Sequence, residues 1–166
     1  VAVGEIGMDL YWDKTYQKEQ QRAFAQQIEW ALSFDLPIVI HCREAFDEIF
    51  EVLESVKDKR LRGIFHCFTG DASQAQRAIN LNMLLGIGGV VTFKNSGLAE
   101  TLAQVPLKHI VLETDSPYLA PVPFRGKRNE SSYLPLVSAK IAAIYEISEE
   151  DVAKTTTQNA KQLFNI

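Results

Sequence analysis

Short apolar runs alternate with amphipathic segments along the whole chain. Apolar runs of this length are typical of buried parallel strands, and apolar residues at three- and four-residue steps are typical of covering helices. We predict five strands, at residues 1–8, 38–41, 61–65, 83–93 and 109–113. Helices are predicted at residues 14–34, 44–56, 73–81, 97–104, 134–145 and 149–164.

This alternation predicts right-handed βαβ units and a parallel sheet. A closed barrel of such units needs eight strands and typically ~250 residues, whereas the chain has 166 residues and begins inside a strand without a methionine. We therefore predict an α/β fold, a single domain over residues 1–166 made of the C-terminal five βα units of a TIM-type barrel. About three units are expected to be missing before Val1.

Ligand-type side chains stand in or directly after four of the strands: Glu5, His41, His66 and the pair Glu113 and Asp115. Parallel α/β proteins place their chemistry at the carboxyl ends of the strands, so we expect these side chains to converge. His109 begins its strand and is expected at the opposite end of the sheet.

A carboxylate with two imidazoles suits Zn, Mn, Fe or Ni, and three protein ligands leave room for water and substrate. Glu5, His41 and His66 are therefore candidate metal ligands. The alternatives are an ion pair between Glu5 and Arg43, and histidines that are merely hydrogen-bonded in the core.

Glu113 and Asp115 share one face if the strand continues, so one of them can bind metal or orient water while the other supports the ligands. Cys42 and Cys67 each follow a histidine directly. Because neighbouring side chains of a strand point to opposite faces, we expect both thiols on the packed side rather than in a disulfide or a zinc cluster.

A basic run, Arg125–Gly126–Lys127–Arg128–Asn129, follows Asp115 within a loop at residues 120–132. Its cations can neutralise phosphate, although a solvated surface loop is the alternative interpretation. Positive charge beside a metal site favours hydrolysis of a phosphate ester.

The formal net charge of −4 excludes a general basic surface for nucleic acid, so any such contact depends on a local patch. No apolar run approaches the ~20 residues of a membrane span, and no signal segment is visible. We therefore expect a cytoplasmic protein that does not contact membranes.

Six ordered motifs closely resemble the TatD family of metal-dependent deoxyribonucleases, which are amidohydrolase-like barrels. They are GEIGMD at 4–9, PIVIHCREA at 37–45, GIFHCFTG at 63–70, GIGGVVTFK at 86–94, LETDSPYLAP at 112–121 and PFRGKRNE at 123–130. The resemblance spans essentially all 166 residues.

The resemblance implies a hydrolase that uses one or two divalent ions (Zn, Mg, Mn or Ni) to activate water against DNA phosphodiester bonds. It implies metal binding by Glu5, His41 and His66, and a role for Asp115 as ligand or general base. Arg125 and Arg128 would contact phosphate. The residues expected to support the ligands are Asp9, Arg43 and Glu113.

One departure is that the family's His-x-His motif, which supplies ligands for one of two metal ions, is absent from this sequence. We therefore expect one remaining metal site. Two further hypotheses stay open. The first is a barrel hydrolase of a small amide, lactone or phosphate ester. The second is an inactive fragment that self-associates through its open sheet edges.

Overall fold

The computed structural model describes all 166 residues. Its five strands form one parallel sheet in the order β1-β2-β3-β4-β5. The strands are β1 (Val3–Asp9), β2 (Ile38–Arg43), β3 (Gly63–Phe65), β4 (Met83–Ile87) and β5 (Ile110–Leu112). The helices are α1 (Gln17–Ser33), α2 (Phe46–Ser55), α3 (Ala72–Asn80), α4 (Leu98–Leu102), α5 (Leu134–Tyr145) and α6 (Glu149–Phe164). The predicted α/β fold with five parallel strands is confirmed, and the sheet is open at β1 and β5.

The helix ends follow local capping signals. The Ser148 hydroxyl accepts a hydrogen bond from the Asp151 amide, so α6 begins at Glu149 as predicted. At α3, Asp71 and Gln74 form a reciprocal capping box, which starts the helix one residue before the predicted position.

The predicted fourth strand is too long, because β4 ends at Ile87 and a 3₁₀ turn occupies Gly89–Thr92. The loop after β5 crosses at this point. A Cβ on Gly89 would lie 2.0 Å from the carbonyl oxygen of Leu119, and the Thr92 hydroxyl accepts a hydrogen bond from the Val122 amide. The apolar residues after Ile87 therefore pack against that loop and do not pair as a strand.

One face of the sheet is packed throughout, and the other face is packed at β3, β4 and β5. One cluster of 30 buried residues joins the strands to the helices and includes Ile38, Ile40 and Phe65, all with no exposed surface. On the other face Ile64 and Val111 pack against Leu163 of α6. This packing makes the carboxyl ends of β1, β2 and β3 a rigid frame for side chains. None of the helices combines the length and the apolar character needed to cross a membrane.

Candidate metal centre

Glu5, His41 and His66 meet at the carboxyl end of the sheet and are called the ligand cluster below. A Glu5 carboxylate oxygen (Oε1) lies 2.8 Å from His41 Nδ1 and 3.3 Å from His66 Nε2. One donor atom from each residue lies within 4.8 Å of the others. The alternative ion pair between Glu5 and Arg43 is not formed, because Glu5 contacts the two histidines and the Arg43 guanidinium lies over the Tyr11 ring.

Glu5 reaches the cluster through a bulge in β1. Val3 pairs with Ile38 and Ile6 pairs with Ile40, so β1 uses one more residue than β2 over this stretch. Such bulges redirect a side chain. Glu5 thus lies inside β1, and Asp9 stands at its end.

Each histidine of the cluster turns its other ring nitrogen to a second carboxylate. His41 Nε2 lies 3.1 Å from Asp9 Oδ2, and His66 Nδ1 lies 3.2 Å from Glu113 Oε2. Glu113 reaches His66 across β4 because Gly86 has no side chain; a Cβ there would lie 2.8 Å from Glu113 Oε2. Metal-binding histidines in proteins are typically oriented by carboxylates in this way.

These contacts shift the pKa of His66 and of Asp9. The hydrogen bond to Glu113 raises the pKa of His66, against the opposing effect of burial. Partial burial acts to raise the pKa of Asp9, but hydrogen bonds from the Tyr11 amide and from His41 outweigh it and lower that pKa. Asp9 is therefore held as an anion beside His41.

Asp115 lies beside the ligand cluster but outside its compact group of donor atoms. It follows β5 on a left-handed backbone with φ of 53°, so the strand spacing that would place it on one face with Glu113 does not apply. Burial raises the pKa of the Asp115 carboxyl, an effect that His66 opposes and Glu113 reinforces. A carboxylate of raised pKa is better suited to accept a proton.

The charge balance of the site fits a divalent cation. Three carboxylates, those of Glu5, Asp9 and Glu113, contact the two imidazoles, and Asp115 lies near them. No lysine or arginine forms an ion pair with any of these four carboxylates. Tetrahedral ligands ~2.1 Å from a metal lie about 3.4 Å apart. The contact between Glu5 and His66 has this length, and the contact between Glu5 and His41 is shorter at 2.8 Å.

Cys67 departs from the expectation that it faces the packed side. Its Sγ lies with donor atoms of His66 and Glu113 in a second group whose members are within 4.8 Å of one another. The alternation rule fails because β3 ends at Phe65 and Cys67 has φ of 47°. Burial raises the pKa of the Cys67 thiol above its usual range, so the group is a neutral thiol. Cys42 packs against the core as expected.

The basic run forms an exposed loop beyond β5. The guanidinium carbon of Arg125 lies 4.5 Å from the centre of the Phe93 ring, and Arg128 forms no ion pair. Asn129, for which the sequence predicts no role of its own, is 2% exposed. Its side-chain amide donates to the carbonyl oxygens of Thr114 and Tyr118. Asn129 thus ties the basic loop to the segment that carries Asp115; its only sequence signal is an uncharged amide at the end of a cationic run.

Arg43, predicted to support the ligands, makes no hydrogen bond to the ligand cluster. Its guanidinium carbon lies 3.8 Å from the centre of the Tyr11 ring. Its charge nevertheless contributes to lowering the pKa of Asp9.

The comparisons with known proteins all point to the same family. The family model described as TatD related DNase matches residues 1–165. The chain is 43% identical to the Bacillus subtilis protein named uncharacterized metal-dependent hydrolase YabD, over 100% of this chain and 66% of that protein. It is 34% identical to the Klebsiella pneumoniae 3'-5' ssDNA/RNA exonuclease TatD, over 100% of this chain and 65% of that protein.

Among solved structures, the crystal structure of YjjV, a TatD homologue from Escherichia coli K12, superposes with a TM-score of 0.94 at 32% identity. The match covers 100% of this chain and 64% of the YjjV chain. The chain therefore spans slightly less than two thirds of each of these three proteins. On both sequence and structure, the chain belongs to the TatD-related DNase family.

Proposed function

We propose that this chain carries the metal site of a nuclease that hydrolyses phosphodiester bonds in single-stranded DNA or RNA. The observation that carries the proposal is the ligand cluster, in which each histidine is backed by a carboxylate, beside a cationic loop. The Klebsiella relative named as a single-strand exonuclease supports this choice of substrate.

In this proposal Glu5, His41 and His66 hold the ion, and Asp9 and Glu113 fix the orientation of the imidazoles. A divalent ion bound there supplies Lewis-acid catalysis for the attack of water on phosphorus. The donor set suits Zn, Mn, Fe or Ni, and the family resemblance adds Mg to the candidate metals.

The remaining steps fall to other side chains of this chain. Asp115 accepts the proton of the attacking water, which its raised pKa favours. Arg125 and Arg128 bind phosphate oxygens of the substrate and set its position.

The test is cleavage of end-labelled single-stranded DNA and RNA by the purified protein, after chelation and after addition of each metal in turn. His66→Ala is expected to abolish cleavage. His109→Ala is the matched control, because His109 precedes β5 at the opposite end of the sheet. Cleavage that persists in the presence of chelator, or in His66→Ala, would overturn the proposal.

A further inference from the structure

The loop between β1 and α1 exposes three aromatic rings. Trp12 is 80% exposed, Tyr16 is 62% exposed and Tyr11 is 45% exposed. Leaving such rings in water forgoes the free energy that their burial would contribute. Large apolar side chains that cluster at one exposed position commonly mark a binding site.

Two of these rings form an ordered arrangement with Arg43. The Tyr11 and Trp12 rings meet edge to face with centroids 4.6 Å apart. The guanidinium carbon of Arg43 lies 3.8 Å from the centre of the Tyr11 ring and 5.7 Å from that of Trp12. We call Tyr11, Trp12 and Arg43 the aromatic platform. Its two π-systems and one delocalised cation present flat surface and positive charge together.

Hydrogen bonds attach the platform rigidly to the sheet. Leu10 is 1% exposed, and its amide donates to the carbonyl oxygen of Arg43 at 2.9 Å. The Asp9 backbone exchanges two hydrogen bonds with the Gln20 side chain, at 2.9 and 3.1 Å, which fixes the end of β1 against α1. The backbone that leads into Tyr11 and Trp12 is therefore held against the sheet and α1.

The platform is also next to the ligand cluster. One oxygen of the Asp9 carboxylate accepts a hydrogen bond from the Tyr11 amide at 3.0 Å, and the other lies 3.1 Å from His41 Nε2. Trp12 is three residues beyond Asp9, so their backbones are at most about 11 Å apart. A polymer whose phosphate lies at the ligand cluster has neighbouring units within reach of Trp12.

We infer that the aromatic platform binds a nucleobase of a single-stranded nucleic acid next to the bond being cleaved; this inference rests on the proposed nuclease function. Every base has a π-face, so stacking on Trp12 is tolerant of sequence. Arg43 adds a cation that attracts the phosphate backbone. A base inside a duplex has no free face, so the platform favours single strands over double strands.

The test uses the two tryptophans as paired probes, because Trp30 lies on α1 and is 52% exposed. A Trp30→Phe variant reports on Trp12 alone, and a Trp12→Phe variant reports on Trp30 alone. Each is titrated in chelator, without hydrolysis, against a single-stranded oligothymidylate and against an abasic oligonucleotide of the same length. We expect quenching of Trp12 by the oligothymidylate, little quenching by the abasic strand and none of Trp30 by either.

Trp12→Ala is expected to raise the Kd for oligothymidylate about tenfold and to leave the Kd for the abasic strand unchanged. In the metal-loaded enzyme the same change should raise KM and spare kcat. Equal quenching by both strands, or an unchanged Kd in Trp12→Ala, overturns the platform even if the protein cleaves DNA normally. Stacking at Trp12 without any cleavage would support base binding by the platform and overturn the nuclease proposal instead.

Discussion

The two sides of the candidate site are built in different ways. On the side of β1, β2 and β3, Glu5 and His41 stand on paired strands and His66 directly follows one, with a carboxylate behind each histidine. On the side of β5, Asp115 and the basic loop stand on irregular backbone. There the buried side chain of Asn129 makes the connecting hydrogen bonds.

This difference matches what each side would bind under the proposed function. Metal coordination tolerates deviations of only about 0.2 Å in distance, which strands can hold. A polymer substrate varies in shape, and loops on a rigid scaffold accommodate it. Substitutions on the strand side should therefore change metal affinity and kcat, and substitutions on the loop side should change KM and salt dependence.

The largest effect is expected for Glu5→Gln, which keeps the volume of the side chain but removes its charge. We expect kcat to fall on the order of a thousandfold, and added metal no longer to raise the Tm. Because the Glu5 side chain is 51% exposed, the fold itself should be unaffected. Thermal melts with and without metal check this, with Glu19→Gln on the exposed face of α1 as the control. A full metal-induced rise of Tm in Glu5→Gln would contradict the proposed role of Glu5 as a metal ligand.

A smaller effect on metal binding is expected for Glu113→Gln. Glu113 directly follows β5 but orients His66, so the substitution should weaken metal affinity about 10- to 100-fold. In the metal-free protein the pKa of His66 should fall, since the hydrogen bond to Glu113 is the main cause of its elevation.

The pH dependence of stability supplies a second measurement of the same change. A raised pKa in the folded state stabilises the metal-free protein below the unfolded value of ~6.5, and this stabilisation is lost as pH rises through the folded pKa. Glu113→Gln should reduce this pH dependence. Calorimetric metal titration and NMR titration of the histidine are the measurements, and an unchanged His66 pKa would sink the prediction.

On the loop side, replacing Arg125 and Arg128 together by alanine should raise KM for single-stranded DNA about tenfold and preserve kcat. Each lost phosphate contact should reduce the slope of log K against log salt by about 0.7. Lys154→Ala, on the exposed face of α6, serves as the control. Intact DNA cleavage combined with impaired turnover of a small phosphate ester would instead favour a small-molecule hydrolase.

The smallest effect on activity is expected for Asn129→Ala. It leaves the carbonyl oxygens of Thr114 and Tyr118 without their donor, which should lower the free energy of unfolding by about 1–3 kcal/mol. KM should rise by less than in the double arginine variant, because the cations remain. Chemical denaturation and steady-state kinetics check this; a variant as stable as the parent would show that the loop has other anchors.

Much of the fold could be predicted because it depends on local signals. The strands and helices follow from hydrophobic periodicity, and the last two helices have the predicted bounds. Proline lies in the first turn of α5, and Ser148 caps α6. The predicted fourth strand is too long because an apolar, glycine-rich sequence is compatible with a buried turn as well as with a strand. Asp71 and Gln74 carry a capping-box pattern, which places the start of α3 more accurately than hydrophobic periodicity does.

By itself, the sequence determined the parallel α/β architecture, the family resemblance and the set of candidate residues at the carboxyl ends of the strands. Tertiary structure alone decided how those residues meet. The bulge that turns Glu5 toward His41, the space at Gly86 that admits Glu113 to His66, and the stacking of Arg43 on Tyr11 each join segments distant in the chain. Local propensity and periodicity carry no information on such contacts, because they arise only when separate strands pack side by side.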